Sequence, residues 1–177
     1  SCSLVGSEMC IRDRKKATAS SSKGANTADM TLDGTTDTRW QADNEADDEW
    51  IQVDLGSVQA VNAVTINWEA AYAAKYEIQV STDGKEWTTV AKENGMVGEI
   101  TSSFAATKAR YVKMQGVSRG TQYGYSIYEI QVFGAVQAKA PTITPVSGTY
   151  KGTQTVKMST AVKGAEIKYT TDGATPT

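Results

Sequence analysis

Apolar and polar residues alternate with a period of two along most of this 177-residue chain. Such alternation in short runs bounded by turn residues is typical of half-buried β-strands. No stretch shows a sustained 3.6-residue apolar repeat with capping residues, so the pattern predicts an all-β protein with little helix. The apolar faces of the five clearest runs are Ile51, Val53 and Leu55; Val64, Ile66 and Trp68; Tyr76, Ile78 and Val80; Val112 and Met114; and Ile130 and Val132.

Turn residues divide these runs into an architecture of many short strands, which favours a sandwich or a barrel. Asp83-Gly84 lies between two strand patterns, and Asp-Gly accommodates the positive φ angles of a tight hairpin turn. The first β domain closes near Phe133-Gly134, so we place it at residues 17–135.

A small-residue linker at 136–140 separates this domain from a second β pattern at 141–177. That segment is too short for an independent core, so we interpret it as a truncated second β-sandwich. Residues 1–16 have no apolar run of signal-peptide length, and we interpret them as a non-native or disordered leader outside the fold.

Composition narrows the possible functions. The net charge of −2 gives no electrostatic reason to expect nucleic acid or an anionic membrane as partner. The absence of histidine removes the usual general base and the commonest metal ligand. A contiguous acidic run at 43–49 does not resemble the two separated carboxylates of a glycosidase, and we interpret it as a solvated loop.

Five sequence blocks, taken in order, resemble the discoidin or coagulation-factor type C family in its bacterial carbohydrate-binding branch. They are LDGTTDTRW (32–40), WIQVDLG (50–56), WEAAYAAKYEIQVSTDGKEW (68–87), ARYVKMQG (109–116) and RGTQYGYSIYEIQVFG (119–134). The resemblance implies a discoidin-like jelly-roll β-sandwich with ligands held by loops at one end. The tail from Pro141 resembles the C-terminal β-sandwich domain of chitobiase-type hexosaminidases.

The oxygen-rich turn from Asp33 to Thr38 has two possible interpretations. Calcium prefers carboxylate, hydroxyl and carbonyl oxygens, which this turn supplies, but an Asp-Gly turn can equally be solvated. The family resemblance implies a structural calcium site. Its ligands would be the Asp33 carboxylate, the Thr35 carbonyl, the Thr38 hydroxyl and Glu129 from the last strand.

Loop residues beside the strands are the candidates for glycan binding, because sugars stack on aromatic rings and accept hydrogen bonds from polar side chains. The resemblance places the block containing Glu69 and Tyr72 beside the ligand. The loop before the final strand adds Arg119, Tyr123 and Tyr125, and the early loop adds Lys23, where relatives often carry a glutamate.

Three of the candidates have a structural alternative. Glu69 could form a surface ion pair with Lys75 or Arg119, and Tyr72 or Tyr125 could belong to the core. We interpret Trp50, Trp68 and Trp87 as core residues because they alternate with polar residues, and Trp40 as a packing residue.

Together these features predict a non-catalytic carbohydrate-binding module of a secreted or cell-surface bacterial protein. Its partner would be a polysaccharide or oligosaccharide, and a catalytic domain, a glycoside hydrolase, would be covalently linked in the parent chain. An adhesion domain for protein or lipid is the alternative, but the polar loops argue against membrane insertion. The sequence leaves open whether a basic amino sugar or an acidic sugar is the ligand.

Overall fold

The computed structural model describes residues 8–10, 16–135, 141–159, 167 and 169–170. The chain divides into two compact units, Ser1–Val136 and Gln137–Thr177. In the first unit a short 3-10 helix, Ala28–Leu32, lies among eight strands. These strands are β1 (Glu8–Cys10), β2 (Lys16–Ala19), β3 (Trp40–Gln41), β4 (Trp50–Trp68), β5 (Ala73–Ser81), β6 (Thr88–Asn94), β7 (Gly98–Arg119) and β8 (Ser126–Ala135).

Two long strands, β4 and β7, determine the architecture. They pair with each other along almost their whole length, and the register breaks between Asp54 and Gln59 and between Val61 and Ala63. Such breaks are β-bulges, which bend and twist a strand. Each strand therefore runs from one sheet of the sandwich into the other.

The two sheets follow from these bends. The first half of β4 pairs with β2 and with the end of β7, and β5 and β6 continue that sheet. The second half of β4 pairs with the start of β7 and with β8. Strands β1 and β3 pair with opposite ends of β8. The predicted all-β fold is confirmed, and all of these pairings are antiparallel.

The core lies between the sheets and includes the side chains of the five predicted apolar faces. All five predicted apolar faces are buried, and none of their side chains is more than 6% exposed. Trp40 and Trp68 are fully buried, as predicted.

Trp50 and Trp87 were predicted as core residues, and that prediction is wrong. Both are only half-buried. Since successive side chains point to opposite faces, Trp50 must face away from the core that its neighbour Ile51 enters. Trp87 lies in the β5–β6 connection, where the Lys113 Nζ sits 4.2 Å from the ring centroid.

Two boundaries differ from the prediction. The leader was expected to lie outside the fold, yet Glu8–Cys10 pairs with β8, and Lys16 already belongs to β2. An open strand edge offers unpaired backbone groups, so an extended segment can join it without any apolar pattern. The Asp83-Gly84 turn forms with Gly84 at φ 76°, but the connection spans residues 82–87 and is not a two-residue hairpin.

The second unit contains one described hairpin, in which β9 (Thr142–Thr144) pairs with β10 (Lys157–Ser159). Both strands fall within the second β pattern predicted for residues 141–177. The predicted linker at 136–140 lies outside the described residues. Among the described residues, no helix is long and apolar enough to cross a membrane.

Replacing Gly116 by alanine should destabilise the first unit. A Cβ at this position would lie 2.3 Å from the Tyr125 ring and 2.5 Å from the Asp47 carbonyl oxygen. Both distances are too short for a Cβ contact, so the ring and the backbone would have to move apart. We expect Gly116→Ala to lower the free energy of unfolding by about 2–3 kcal/mol in urea titrations. The neighbouring Val117→Ala, at a 49% exposed position, should cost far less. Equal losses in the two variants would contradict this packing.

Candidate functional site

A cleft of about 280 Å³ opens at the loop end of the first unit. One side comes from β3 and the residue before it, another from the β4–β5 loop, and a third from the β7–β8 loop and the start of β8. Its walls are formed by Arg39, Gln41, Glu69, Ala70, Ala71, Thr121, Tyr123 and Ser126. Two of the predicted ligand residues, Glu69 and Tyr123, therefore share one cleft.

Backbone hydrogen bonds hold the walls of the cleft together. The Glu69 N–H donates to the Ser126 carbonyl at 3.0 Å, and the Ser126 N–H donates to the Ala71 carbonyl at 2.9 Å. The Ser126 hydroxyl donates to the Trp40 carbonyl at 3.1 Å, which ties β8 to β3. The cleft is thus built on paired backbone rather than on a free loop, a property that favours preorganised binding.

Glu69 carries the negative charge of the cleft. Its Oε2 accepts the Ala71 N–H at 2.9 Å, which orients the half-buried carboxylate. Neither Lys75 nor Arg119 is its ion-pair partner among the described residues, so the alternative of a surface ion pair is wrong. The carboxylate is available to accept hydrogen bonds from a ligand.

Arg39 supplies a positive charge to the same cleft, and sequence reasoning missed it. Its Nε is buried without a hydrogen-bond partner among the described residues. A buried unpaired donor is costly, so such a group is best satisfied by a ligand acceptor or by water. The available signal in the sequence was its position directly before the buried Trp40, which begins β3.

Gln41 and Lys23 connect the early loop to the cleft. The Lys23 N–H donates to the Gln41 carbonyl at 2.9 Å, and the Gln41 amide oxygen accepts from Asn26 Nδ2 at 3.1 Å. The predicted ligand residue Lys23 is exposed and lies beside this wall, but it does not line the cleft.

The two tyrosines predicted as ligand residues differ in position. Tyr123 is 56% exposed at the mouth of the cleft. Tyr72 is half-buried, packs against the core and lies outside the cleft lining. Its ring covers Gly120 so closely that a Cβ there would approach it to 2.3 Å. Glycine at 120 is therefore required by this contact, and Tyr72 supports the β7–β8 loop beside the cleft.

Arg119 has a positioning role, and the structure does not bring it into the cleft. Its backbone N–H and its Nε donate to Asp47 Oδ1 at 3.0 and 3.1 Å, and its Nη1 donates to the Gln122 carbonyl at 3.0 Å. The backbone N–H and then the guanidinium of Arg119 hold the pKa of Asp47 below its ordinary value. The ion pair thereby joins the acidic loop to the β7–β8 loop.

Tyr125 was predicted as a ligand residue, and the structure contradicts this. It is fully buried, its ring meets the Trp68 ring edge-on at 6.1 Å, and its hydroxyl donates to the Asp47 carbonyl at 2.7 Å. Burial raises the pKa of the hydroxyl. The aromatic ring adds to the core while its hydroxyl satisfies a loop carbonyl.

The acidic run is also not uniformly solvated. Glu49 is only 5% exposed, and its carboxylate accepts hydrogen bonds from the Ser20 hydroxyl, the Ser21 hydroxyl at 2.6 Å and Asn44 Nδ2 at 2.9 Å. Burial alone would raise its pKa, but the three hydrogen bonds together hold it below the ordinary value of 4.5. Glu49 therefore fastens the early loop to the acidic loop.

The four predicted calcium ligands are gathered by the turn after the 3-10 helix. Asp33 Oδ2 accepts from the Thr38 hydroxyl at 2.5 Å, and Asp33 Oδ1 accepts the Thr35 N–H at 3.1 Å. Glu129 reaches across from β8 and accepts the Gly34 N–H at 2.6 Å. No group of three or more His, Cys, Asp or Glu side chains suited to a metal occurs among the described residues, so a cation here would also need neutral oxygens.

Comparison with known proteins gives the family. Residues 16–130 match the F5/8 type C domain, and the chain belongs to that family. Residues 145–177 match the chitobiase/beta-hexosaminidase C-terminal domain. Both predicted resemblances are confirmed.

Several relatives are glycan-related proteins. Chitosan-binding module 1 of a chitosanase/glucanase from Paenibacillus sp. IK-5 is 46% identical, with 71% of this chain and 99% of that chain covered and a TM-score of 0.68. Module 2 of the same enzyme, solved with chitotriose, is 38% identical, with 70% and 99% covered and a TM-score of 0.67.

A curated relative, a polysaccharide lyase 8 family protein named HylA from Enterococcus faecalis, is 39% identical over 88 residues. That is 48% of this chain and 6% of the relative, so the chain spans a small part of its length. These comparisons confirm the prediction of a non-catalytic carbohydrate-binding module over an enzyme.

Acid should reveal the role of Glu49. Because its pKa is lower in the folded chain, its stabilising effect is present above pH 4.5 and is lost as the pH falls through the lowered pKa. We expect Glu49→Gln to cost about 2–3 kcal/mol of unfolding free energy at neutral pH, since hydrogen bonds to a charged group are lost. That deficit should shrink in urea titrations carried out progressively below pH 4.5. A deficit that is independent of pH would contradict the assignment.

Proposed function

We propose that the cleft binds an oligosaccharide of the chitosan class, that is, β-1,4-linked glucosamine units. The observation that carries this proposal is the Glu69 carboxylate, oriented by Ala71 N–H and without an ion-pair partner among the described residues. A carboxylate in a partly desolvated cleft is well suited to an ammonium group or to sugar hydroxyls. The 46% identity to a chitosan-binding module supports the same ligand class.

The remaining groups of the cleft complement Glu69. The buried Arg39 Nε would donate a hydrogen bond to a ring or hydroxyl oxygen of the sugar and so gain the partner that it lacks among the described residues. Tyr123, exposed at the mouth, would present its ring to the apolar face of a sugar. One acceptor, one donor and one aromatic face would together define the orientation of a single sugar unit.

The module would act by tethering. A shallow site of this size binds a short oligosaccharide weakly, with a Kd on the order of micromolar to millimolar. Weak binding still raises the local concentration of a linked catalytic domain on a polymer surface, because the second contact becomes intramolecular. We infer that the parent protein is a secreted or cell-surface enzyme that degrades polysaccharide. The adjoining match to a chitobiase-type domain supports this inference.

We also propose that the turn at Asp33 to Thr38 holds a structural calcium ion. The oxygens of Asp33, Thr35, Thr38 and Glu129 supply the hard ligands that calcium prefers. Glu129 already connects the turn to β8 through Gly34, so an ion would strengthen an existing link between the early loop and the last strand. The ion would have no part in glycan chemistry.

Neutralising Glu69 should weaken glycan binding. In calorimetric titrations with chitotriose we expect Glu69→Gln to raise the Kd by about tenfold, equivalent to about 1.4 kcal/mol, because a charge-assisted hydrogen bond becomes a neutral one. Glu86→Gln is the matched control, since Glu86 is an exposed glutamate in the remote β5–β6 connection.

Other ligands distinguish the alternatives to this proposal. A uronic-acid trisaccharide that binds better than chitotriose, with Arg39→Gln rather than Glu69→Gln as the damaging change, would overturn the amino-sugar assignment. Sedimentation with phospholipid vesicles, together with no affinity for any oligosaccharide, would overturn the proposed glycan function as a whole.

Calcium removal should lower the thermal stability of the chain. A ligand that binds only the folded state stabilises it in proportion to its saturation, so a chelator should lower the Tm by several degrees. Asp33→Asn should abolish this calcium-dependent difference. Asp83→Asn changes another Asp-Gly turn and should retain it. A calcium-dependent shift that survives Asp33→Asn would exclude this turn as the site.

A further inference from the structure

A second cleft of about 260 Å³ lies on the first unit, away from the residues that line the first cleft. It is formed by β5, β6 and the end of β7, and no residue is shared between the two linings. Its walls are Lys75, Tyr76, Glu77, Lys92, Glu93, Asn94 and Val117. None of these residues was predicted to bind ligand.

An irregularity in the pairing of β5 with β7 produces this cleft. Lys75 pairs with Ser118, but Tyr76 pairs with Gly116, so Val117 is left without a partner on β5. This is a β-bulge, which redirects a side chain and often lies beside a binding site. Val117 is consequently 49% exposed and forms an apolar part of the wall.

The polar groups of the second cleft fit a sugar. Lys92 Nζ and Glu77 Oε1 form an ion pair of 3.1 Å. Lys75 has no ion-pair partner among the described residues. Lys75 and Asn94 are exposed donors, and Glu93 is an acceptor beside them. An apolar patch bordered by donors and an acceptor is the chemistry by which proteins hold a carbohydrate ring.

The two clefts are linked by the short segment from Ala71 to Lys75. Ala71 lines the first and Lys75 lines the second, and four residues of extended chain cover at most about 13 Å. Tyr72 lies between them and covers Gly120, which directly precedes Thr121 of the first cleft. A linear oligosaccharide a few units longer than a trisaccharide can span that distance.

From this arrangement we propose that one polysaccharide chain occupies both clefts and passes Tyr72 between them, so that the module contacts more sugar units than the first cleft can hold. The inference rests on the proposed function, because it extends the path of the same ligand. The second cleft would add contacts to the chain without forming a separate site for another class of molecule.

Chain length is the direct test, using the full chain and glucosamine oligomers from trimer to hexamer. In calorimetry we expect the hexamer to bind about tenfold more tightly than the trimer, about 1.4 kcal/mol. The double variant Glu93→Gln/Asn94→Ala should remove most of this gain, whereas Glu86→Gln, which neutralises an exposed glutamate outside the second cleft, should retain it. A longer oligomer also binds more tightly because it offers more binding positions to the first cleft, and this effect is the same in all variants. A difference between the variants in the gain of affinity therefore reports contacts in the second cleft.

Amide chemical shifts locate the ligand independently. The hexamer should shift the signals of Asn94 and Val117, and the trimer should not. If the trimer binds and depends on Glu69 but the hexamer gains nothing, or gains equally in the double variant, the extended path is overturned and the proposed function stands. If the trimer does not bind, the proposed function itself fails.

Discussion

The antiparallel pairing of β4 with β7 is the constraint on which the rest of the structure depends. Both strands bend at the same places, so each contributes to both sheets. Arg110 and Asp54 lie at the first bend and form a two-pronged ion pair with both distances at 2.9 Å. The geometry is the specific, fork-like one that arginine and carboxylate favour. Because the loops at the end of the sandwich grow from these two strands, their relative positions follow from this one pairing.

Buried polar side chains then fasten the loops to the sandwich. The Tyr125 hydroxyl and the Arg119 side chain both bind Asp47, and the Glu49 carboxylate collects two serine hydroxyls and an amide. A buried carboxylate is costly unless its oxygens are paired, so Glu49 and its partners form a unit that must be assembled together. The acidic loop is consequently a structural part of the domain, and its carboxylates have roles that differ from residue to residue.

The side chains that support the loops differ from those that line the cleft. Arg119, Tyr125 and Tyr72 support the loops, whereas Glu69, Arg39 and Tyr123 line the cleft. A site that draws its functional groups from three separate segments can change its specificity by single substitutions without disturbing the fold. The bulge at Val117 likewise changes the surface without disturbing the fold. It exposes the Val117 side chain, while β5 and β7 remain paired on both sides of it.

Alternation alone was sufficient to predict two parts of β4 and parts of β5, β7 and β8 with their buried faces, because a pleated strand places every second side chain in the core. The order of the motifs further predicted the family, the fold and the loops that carry the site. Only the tertiary structure decided which residues of a loop line the cleft. Tyr123 and Tyr125 are two residues apart, yet one is exposed and the other fully buried, because Trp68 and the Asp47 carbonyl accommodate only the second. Arg39 and the second cleft could not be predicted from the sequence, since the burial of the Arg39 Nε and the register shift at Val117 arise from contacts between segments that are distant along the chain.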